Sequence, residues 1–226
     1  MADDQATLAW MDYFRKKGIT PIRLDAENKF QKAVVDGVKI ACQEKIERDR
    51  RKGILNRPIR AMVVGIPNVG KSTFINSLAG KTAAKTGNKP GVTRGNQWIK
   101  IDKQLELLDT PGILWPKFDD EAIGMKLACV GSISDEVLNM QEIAYHLLSY
   151  GKANYNQLFE ARYGAVPQPD DERDNEIVLW MENIARQRGC LKRGAETDFD
   201  KVSAQITDDF RSGRIGKVSL EVPKQA

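Results

Sequence analysis

The octapeptide GIPNVGKS at residues 65–72 fits the pattern G-x-x-x-x-G-K-[ST], which is typical of loops that hold phosphate groups. Such a loop needs a strand before it and a helix after it. The apolar run RAMVVG at residues 60–65 predicts a buried strand, and the residues from about 72 to 78 predict a helix. The sequence therefore predicts an α/β domain in which the octapeptide joins a strand to a helix. The alternative is a glycine turn that only packs.

The residue types of the octapeptide suit phosphate chemistry. Gly65 and Gly70 allow the backbone to wrap closely around phosphate groups, so that N–H groups and the helix N-terminus face the anion. Lys71 provides a positive charge for the β- and γ-phosphates, and Ser72 provides a hydroxyl ligand for Mg²⁺. These residues predict that the loop binds a nucleotide together with Mg²⁺.

Two further motifs follow the octapeptide. Asp109 ends an apolar strand predicted at 105–109, where a carboxylate beside the phosphate loop is expected to hold Mg²⁺ through water. Gly112 follows three residues later and can bring its N–H close to a γ-phosphate. Thr93 lies in a loop rich in glycine and threonine, and we expect it to reach Mg²⁺ only when the γ-phosphate is present. The three motifs in this order strengthen the prediction of a nucleotide site.

The three motifs together resemble those of translation-factor-type GTPases. The stretches KTG at 85–87, PGVT at 90–93 and LLDTPGILWPKF at 107–118 are more specific. With them, nearly the whole chain resembles the circularly permuted GTPases that assist ribosome assembly, and most of all the ribosome biogenesis GTPase A family. The resemblance implies an enzyme that hydrolyses GTP to GDP and phosphate to drive a late step of large ribosomal subunit assembly. It also implies a helical C-terminal module that contacts ribosomal RNA.

In this family the guanine-recognising motifs precede the phosphate-binding loop. Asp25 and Ala26 stand where the family has its fifth motif, near the base, but the family's Asn-Lys-x-Asp motif is absent. The sequence predicts four of the six strands of a Ras-like sheet, at 21–25, 60–65, 97–101 and 105–109. We therefore expect a circularly permuted Ras-like P-loop GTPase domain that lacks its N-terminal strands, in a truncated chain, followed by an all-helical C-terminal domain.

The resemblance also implies a set of site residues. Lys71, Thr93 and Asn68 are expected to be catalytic. Asn68 is expected to hold a K⁺ ion at the place where other GTPases have an arginine finger. The alternative is that Asn68 only stabilises the loop. Mg²⁺ is expected on Ser72 and Thr93, and on Asp109 through water. GTP or GDP is expected to contact Gly65, Asn68, Val69, Gly70, Lys71, Ser72, Thr73, Gly112, Asp25 and Ala26.

Ile113 follows Gly112 at the position where many GTPases have a glutamine that orients the attacking water. An isoleucine has no group that can orient water, and we expect it to be an ordinary packing residue. Hydrolysis is therefore expected to be slow without help. The resemblance implies two helpers, which are K⁺ and the large ribosomal subunit.

The pattern of predicted elements divides the chain into residues 1–132 and residues 133–226. Helices at 5–17 and 28–52 are predicted before the phosphate-binding loop. From residue 119 onward the sequence predicts helices at 119–130, 134–150, 154–162, 171–188 and 198–212, and then a short strand or ordered tail at 217–222. The first part is expected to be the partial GTPase domain and the second the RNA- and ribosome-binding domain.

Composition and charge narrow the class of protein. The 226 residues are 41% hydrophobic and 29% charged, which excludes collagen-like and disordered chains. Three widely separated cysteines give no metal-binding pattern and indicate reduced thiols, and no apolar run is long enough to span a membrane. We therefore predict a cytoplasmic monomer without membrane or DNA partners. The net charge of +4 combines +8 in residues 1–132 with −4 in residues 133–226; the basic part indicates either a polyanionic partner or a solvated surface.

Several single residues and one cluster have competing interpretations. His146 is interpreted as structural, Trp98 as packed on the sheet, and Trp115 as packed, with stacking on RNA as its alternative. A basic cluster interrupts the acidic tail and is interpreted as facing RNA, with a solvated helix end as the alternative; it comprises Arg186, Arg188, Lys192 and Arg193.

Three alternative functions remain open at the level of sequence. One is another P-loop enzyme, an ATPase or a kinase. The second is a truncated module that binds nucleotide or ribosomal RNA with little GTPase activity. The third is a GTPase that acts on tRNA or membranes.

Overall fold

The computed structural model describes residues 2–24, 31–55, 57–80, 95–114, 120–169 and 175–223. In order along these residues lie α1 Asp4–Lys16, α2 Gln31–Ala41, α3 Gln43–Arg51, β1 Ile59–Val63, α4 Lys71–Ala79, β2 Gln97–Lys100, β3 Leu105–Asp109, α5 Glu121–Cys129, α6 Met140–Tyr163, α7 Glu176–Arg188 and α8 Phe199–Arg211. The chain forms two compact units, residues 5–116 with 222–226 and residues 1–4 with 117–221. The division falls at residue 116, whereas the sequence predicts a boundary after residue 132.

The first unit contains a sheet whose described strands have the order β1-β3-β2. β1 runs parallel to β3, and β2 runs antiparallel to it. The apolar core lies between one face of this sheet and α2 and α4, and it contains Val34, Ile59, Ile75, Leu78, Ile99, Leu105 and Leu107. The predicted strands at 60–65, 97–101 and 105–109 are confirmed. The turn between the last two is fixed by the Asp102 carboxylate, which accepts hydrogen bonds from the N–H groups of Gln104 and Leu105 at 2.6 and 2.8 Å.

The other face of the sheet is open to solvent. The strand register places Met62, Leu108 and Trp98 in one row across it, and Met62 and Trp98 are 60% and 51% exposed. The Arg60 guanidinium lies 5.2 Å from the centre of the Trp98 ring and donates a 3.0 Å hydrogen bond to Glu106. Trp98 therefore lies on the sheet, as the sequence analysis predicts, but it is half exposed and next to a cation rather than covered by a core.

The segment before β1 differs from the prediction in two ways. Residues 21–24 have no regular secondary structure and pair with no described strand, so the predicted strand at 21–25 is wrong for these residues; Asp25 lies outside the described residues. Pro21 has no N–H to donate, and the Ile22 side chain packs close to Gly37 of α2. The single helix predicted at 28–52 is two helices, α2 and α3, which are separated at Cys42, whose φ of −107° and ψ of 13° are not helical.

The second unit is a bundle of α5 to α8. Its main core joins α6, α7 and α8 around Trp180, Phe159, Tyr163 and Ile206, each at most 2% exposed. The helices predicted at 134–150 and 154–162 correspond to α6, whose two helical segments meet at a kink at Tyr155, where φ is −140°. Gly151 permits this bend, since a Cβ there would lie 2.5 Å from the Phe159 ring.

The C-terminal tail is ordered without forming a strand. The Tyr150 hydroxyl donates a 2.8 Å hydrogen bond to the carbonyl of Ser219, and the Ser219 N–H donates to the Tyr155 hydroxyl at 3.2 Å. The Ser219 hydroxyl accepts a hydrogen bond from the Asp3 N–H at 3.1 Å. Of the two predicted outcomes for residues 217–222, the ordered tail is therefore confirmed.

Candidate functional site

The phosphate-binding loop connects the end of β1 to the start of α4. Gly70 caps α4 with φ +88°, a conformation that favours glycine, and a glycine provides no capping side chain. Asn68 also has a positive φ, +57°, which asparagine tolerates better than most residues. The loop therefore presents backbone N–H groups at the positive end of a helix, and an anion is favoured there.

The Lys71 side chain folds back along this loop. Its ammonium donates a 2.7 Å hydrogen bond to the Ile66 carbonyl. Burial lowers the pKa of Lys71, while the nearby Asp109 carboxylate opposes that change. The lysine is thereby held over the loop as a fixed positive charge.

Ser72 and Asp109 meet because β1 and β3 are parallel neighbours. The register pairs Val63 with Asp109, so the carboxylate lies beside the loop that follows β1. The Ser72 hydroxyl donates a 3.2 Å hydrogen bond to Oδ2 of Asp109, which is only 2% exposed. Its Oδ1 is buried and has no hydrogen-bond partner among the described residues.

This pair of residues fits a hard divalent cation. Hydroxyl and carboxylate oxygens are ligands that Mg²⁺ prefers, and Mg²⁺ usually keeps several waters. A buried carboxylate oxygen without a partner is costly unless water or an ion satisfies it. No group of three or more His, Cys, Asp or Glu side chains in the described ranges could hold a metal ion, so a cation at this site needs the hydroxyl, water or nucleotide oxygens.

The turn after β3 lies directly against the phosphate-binding loop. A Cβ at Gly112 would lie 2.5 Å from Cα of Pro67 and 2.9 Å from Nζ of Lys71. The Thr110 hydroxyl donates a 2.7 Å hydrogen bond to the Val63 carbonyl and fixes the start of this turn. Only glycine allows the backbone at position 112 to come this close to the loop. The roles of Thr110 and Pro67 were missed from the sequence, because neither residue type is specific and their partners are distant in the chain.

The structure thus brings together four predicted site residues: Lys71, Ser72, Asp109 and Gly112. Gly65, Asn68, Val69, Gly70 and Thr73 lie along the same loop and the first turn of α4. Thr93, Asp25 and Ala26 lie outside the described residues, as does Trp115. Ile113 is 76% exposed, so the expectation that it packs is wrong; its side chain offers no polar group.

The four residues of the predicted basic cluster in the tail have different partners. Arg186 is paired on α7 with Glu182 at 3.2 Å and Asn183 at 2.9 Å. Arg188 instead lies 3.5 Å from the buried carboxylate of Asp209. Lys192 and Arg193 are exposed in a short turn closed by a bridge between Leu191 and Thr197. The four cations therefore do not form one uniform surface.

His146 lies half-buried on α6, and its ring stacks on Tyr150 with the ring centres 6.5 Å apart. Burial, assisted by the charge of Lys126, lowers the pKa of this imidazole. These contacts fit the structural interpretation of His146. None of the described helices is long and apolar enough to cross a membrane.

Similar proteins were found at the level of sequence. Residues 60–163 match the family described as 50S ribosome-binding GTPase. Proteins named ribosome biogenesis GTPase A from Bacillus cereus and Priestia megaterium are 44% and 45% identical to the chain, and the matches cover 100% of this chain and 75% and 77% of theirs. The protein of that name from Thermotoga maritima is 31% identical over 99% of this chain and 73% of its own.

Similar structures have also been solved. Two of them, a GDP-bound structure of YlqF and GNP-bound YlqF from T. maritima, each superpose with a TM-score of 0.65 and are 27% identical. They match 99% and 100% of this chain and 80% and 78% of their own. The predicted class, an α/β P-loop GTPase domain with a helical C-terminal part, is confirmed, and the chain is an enzyme that hydrolyses GTP. The chain belongs to the ribosome biogenesis GTPase A family.

Proposed function

We propose that the chain binds GTP and Mg²⁺ on the face formed by the phosphate-binding loop and the end of β3, and couples hydrolysis to a late step in assembly of the large ribosomal subunit. The observation that carries the proposal is the Ser72–Asp109 pair at the start of α4, with a buried carboxylate oxygen left over. The names of the relatives support the ribosomal role.

The loop residues 65–70 and the first turn of α4, including Thr73, hold the phosphates through backbone N–H groups. Lys71 leaves the Ile66 carbonyl to meet the β- and γ-phosphate oxygens, which are stronger acceptors because they are charged. Gly112 offers its N–H to the γ-phosphate, and its short distance from Pro67 supports this role. Asp25 and Ala26 are proposed to contact the base.

Ser72 holds Mg²⁺ directly, Asp109 holds it through water, and Thr93 joins them when the γ-phosphate is present. When bound there, Mg²⁺ would supply positive charge next to the phosphate oxygens. Asn68 is proposed to hold K⁺ near the same phosphates. Since Ile113 offers no group to orient the attacking water, hydrolysis by the isolated chain is slow, and the ribosomal particle accelerates it.

The partner is proposed to be the large ribosomal subunit and its RNA, in the cytoplasm, with the chain acting as a monomer. Residues 1–132 carry the GTPase site, and residues 133–226 carry the RNA contacts. Binding of GTP favours the ribosome-bound state, and hydrolysis releases the protein. This division of labour is supported by the separate compact core of the C-terminal helices.

The metal and phosphate roles can be tested with fluorescent mant-nucleotides, with Mg²⁺ or with EDTA. We expect Mg²⁺ to tighten mant-GTP binding by about tenfold or more, and Ser72→Ala to lose this gain. Ser77→Ala is the matched control, because Ser77 is exposed on the same helix away from the loop. Displacement by ATP as effective as displacement by GTP would favour an ATPase.

The ribosomal role is tested by GTP turnover with and without purified large subunits, in KCl and in NaCl. We expect faster turnover with subunits and with K⁺, and loss of the K⁺ effect in Asn68→Ala. Equal turnover in both salts would remove the K⁺ assignment. The absence of any response to subunits would contradict the ribosomal role and favour a module with little GTPase activity.

A further inference from the structure

Three arginines surround one buried carboxylate in the C-terminal unit. Asp209, on α8, is 3% exposed. Arg162 donates to both of its oxygens, at 2.9 and 3.0 Å, and Arg214 donates to Oδ1 at 2.5 Å. The Tyr163 hydroxyl donates to Oδ2 at 3.3 Å. Asp209 thus fixes guanidinium groups from the end of α6 and from the turn after α8.

Arg188 completes this arginine cluster from the end of α7. Its Nη1 lies 3.5 Å from Oδ2 of Asp209, its Nη2 donates to the Arg162 carbonyl at 3.4 Å, and its guanidinium lies 5.6 Å from the centre of the Tyr163 ring. The sequence offered no sign of this arrangement, because Arg162 and Asp209 are 47 positions apart.

The arginine cluster carries more positive than negative charge. Three arginines face two carboxylates, Asp209 and the neighbouring Asp208, to which Arg214 also donates. Burial disfavours ionisation of Asp209, but hydrogen bonds from Arg162 and Arg214 keep its pKa below the ordinary value, so it remains an anion. One positive charge is therefore left over, in a part of the sequence whose net charge is −4 over residues 133–226.

The cluster also keeps donors that the fold does not use. The Nη1 groups of Arg162 and Arg214 make no hydrogen bond to any described residue. The side chains remain accessible to solvent, at 29% for Arg162, 26% for Arg188 and 45% for Arg214. A role confined to neutralising Asp209 needs one arginine, whereas three fixed guanidiniums with spare N–H groups suit an external anion.

We infer that Arg162, Arg188 and Arg214, held in place by Asp209, form a site for backbone phosphates of RNA. The inference rests on the proposed ribosomal function and specifies which residues make the contact. A phosphodiester shares one negative charge between two non-bridging oxygens, and these match the paired N–H groups of a guanidinium. Because Asp209 already fixes the arginines, little side-chain entropy is lost on binding. Arg162 and Arg188 also hold the fold together, so Arg214, the most exposed of the three, is the residue to change.

The experiment titrates the full-length chain with labelled large-subunit ribosomal RNA at four salt concentrations. Each phosphate contact contributes about 0.7 to 0.9 to the slope of log affinity against log salt. Arg214→Gln is expected to weaken binding and to reduce the slope by about that amount. Arg214→Lys is expected to restore the slope, because it keeps the charge, although lysine cannot reproduce the two-point contact with Asp208 and Asp209.

Arg186→Gln is the matched control. It removes an arginine from the same unit, but one whose charge Glu182 already balances. An equal loss of slope in both glutamine variants would overturn the inference, since it would reflect net charge alone. A lower melting temperature in Arg214→Gln with an unchanged slope would also overturn it, because the arginine would then be structural only. If the unchanged protein shows no salt-dependent RNA binding, the proposed ribosomal function fails as well.

Discussion

Gly112→Ala tests whether the turn after β3 forms part of the nucleotide site. The added Cβ would lie 2.5 Å from Cα of Pro67, whereas an ordinary carbon–carbon contact is about 3.5 Å. The turn must therefore retreat by about 1 Å from the phosphate-binding loop. A displacement of about 1 Å can cost about a hundredfold when an interaction depends on alignment. We expect mant-GTP affinity to fall by about tenfold to a hundredfold, or about 1.4 to 2.7 kcal/mol.

The assay compares mant-GTP and mant-GDP titrations of the variant. The loss should be larger for the triphosphate, because the Gly112 N–H is proposed to meet the γ-phosphate. Gly95→Ala is the control for glycine replacement itself, since a Cβ there meets no described residue within 4 Å. If Gly112→Ala and Gly95→Ala bind both nucleotides equally well, the steric argument for the site is refuted. Melting temperatures of both variants show whether the fold has changed.

Three further predictions concern stability and reactivity. Asp209→Asn should lower the free energy of unfolding by about 3 to 5 kcal/mol at pH 7, because it breaks a buried ion pair. The pKa of Asp209 is lowered in the folded protein, so its contribution to stability is complete above the pKa of the unfolded chain, about 4, and is lost as the pH falls through the pKa of the folded protein. The melting temperature of the variant should therefore fall less in acid than that of the unchanged protein. Parallel curves of melting temperature against pH would contradict this. Tyr150→Phe removes the hydrogen bond to Ser219 and should cost about 1 kcal/mol in urea unfolding, whereas an unchanged midpoint would mean that this bond contributes nothing. Only the half-buried Cys42 should react rapidly with a thiol reagent at pH 8. The other two cysteines are buried, and burial raises the pKa of Cys129 to about 12. Rapid reaction of two thiols per chain would contradict this.

The features that the sequence predicted well are local. The glycines, Lys71 and Ser72 stand at fixed spacing between a strand and a helix, so one stretch of chain specifies their arrangement. Asp109 could also be placed, because the carboxyl ends of neighbouring parallel strands meet at one edge of a sheet.

The features that the sequence did not reveal depend on distant contacts. Whether Ile22 joins a sheet or packs on a helix is decided by which partner is available, not by its own strand propensity. The bend in α6 depends on the close contact between Gly151 and the Phe159 ring, which the sequence does not show. Arg188 looks like a free cation in the sequence, and only the fold shows that it faces a buried carboxylate. The positions of Thr93, Asp25 and Ala26 stay predictions.

The open sheet also has a consequence for behaviour at high concentration. Among the described residues, β1 pairs only with β3, and no described strand lies along its second edge. Such an edge is a template for association between copies, and charged side chains near it discourage stacking and aggregation. Arg60 lies in this strand beside the exposed Trp98 and Met62. An exposed pair such as Arg60–Glu106 adds little to the free energy of the fold, so we expect the charge of Arg60 to act mainly against association between copies.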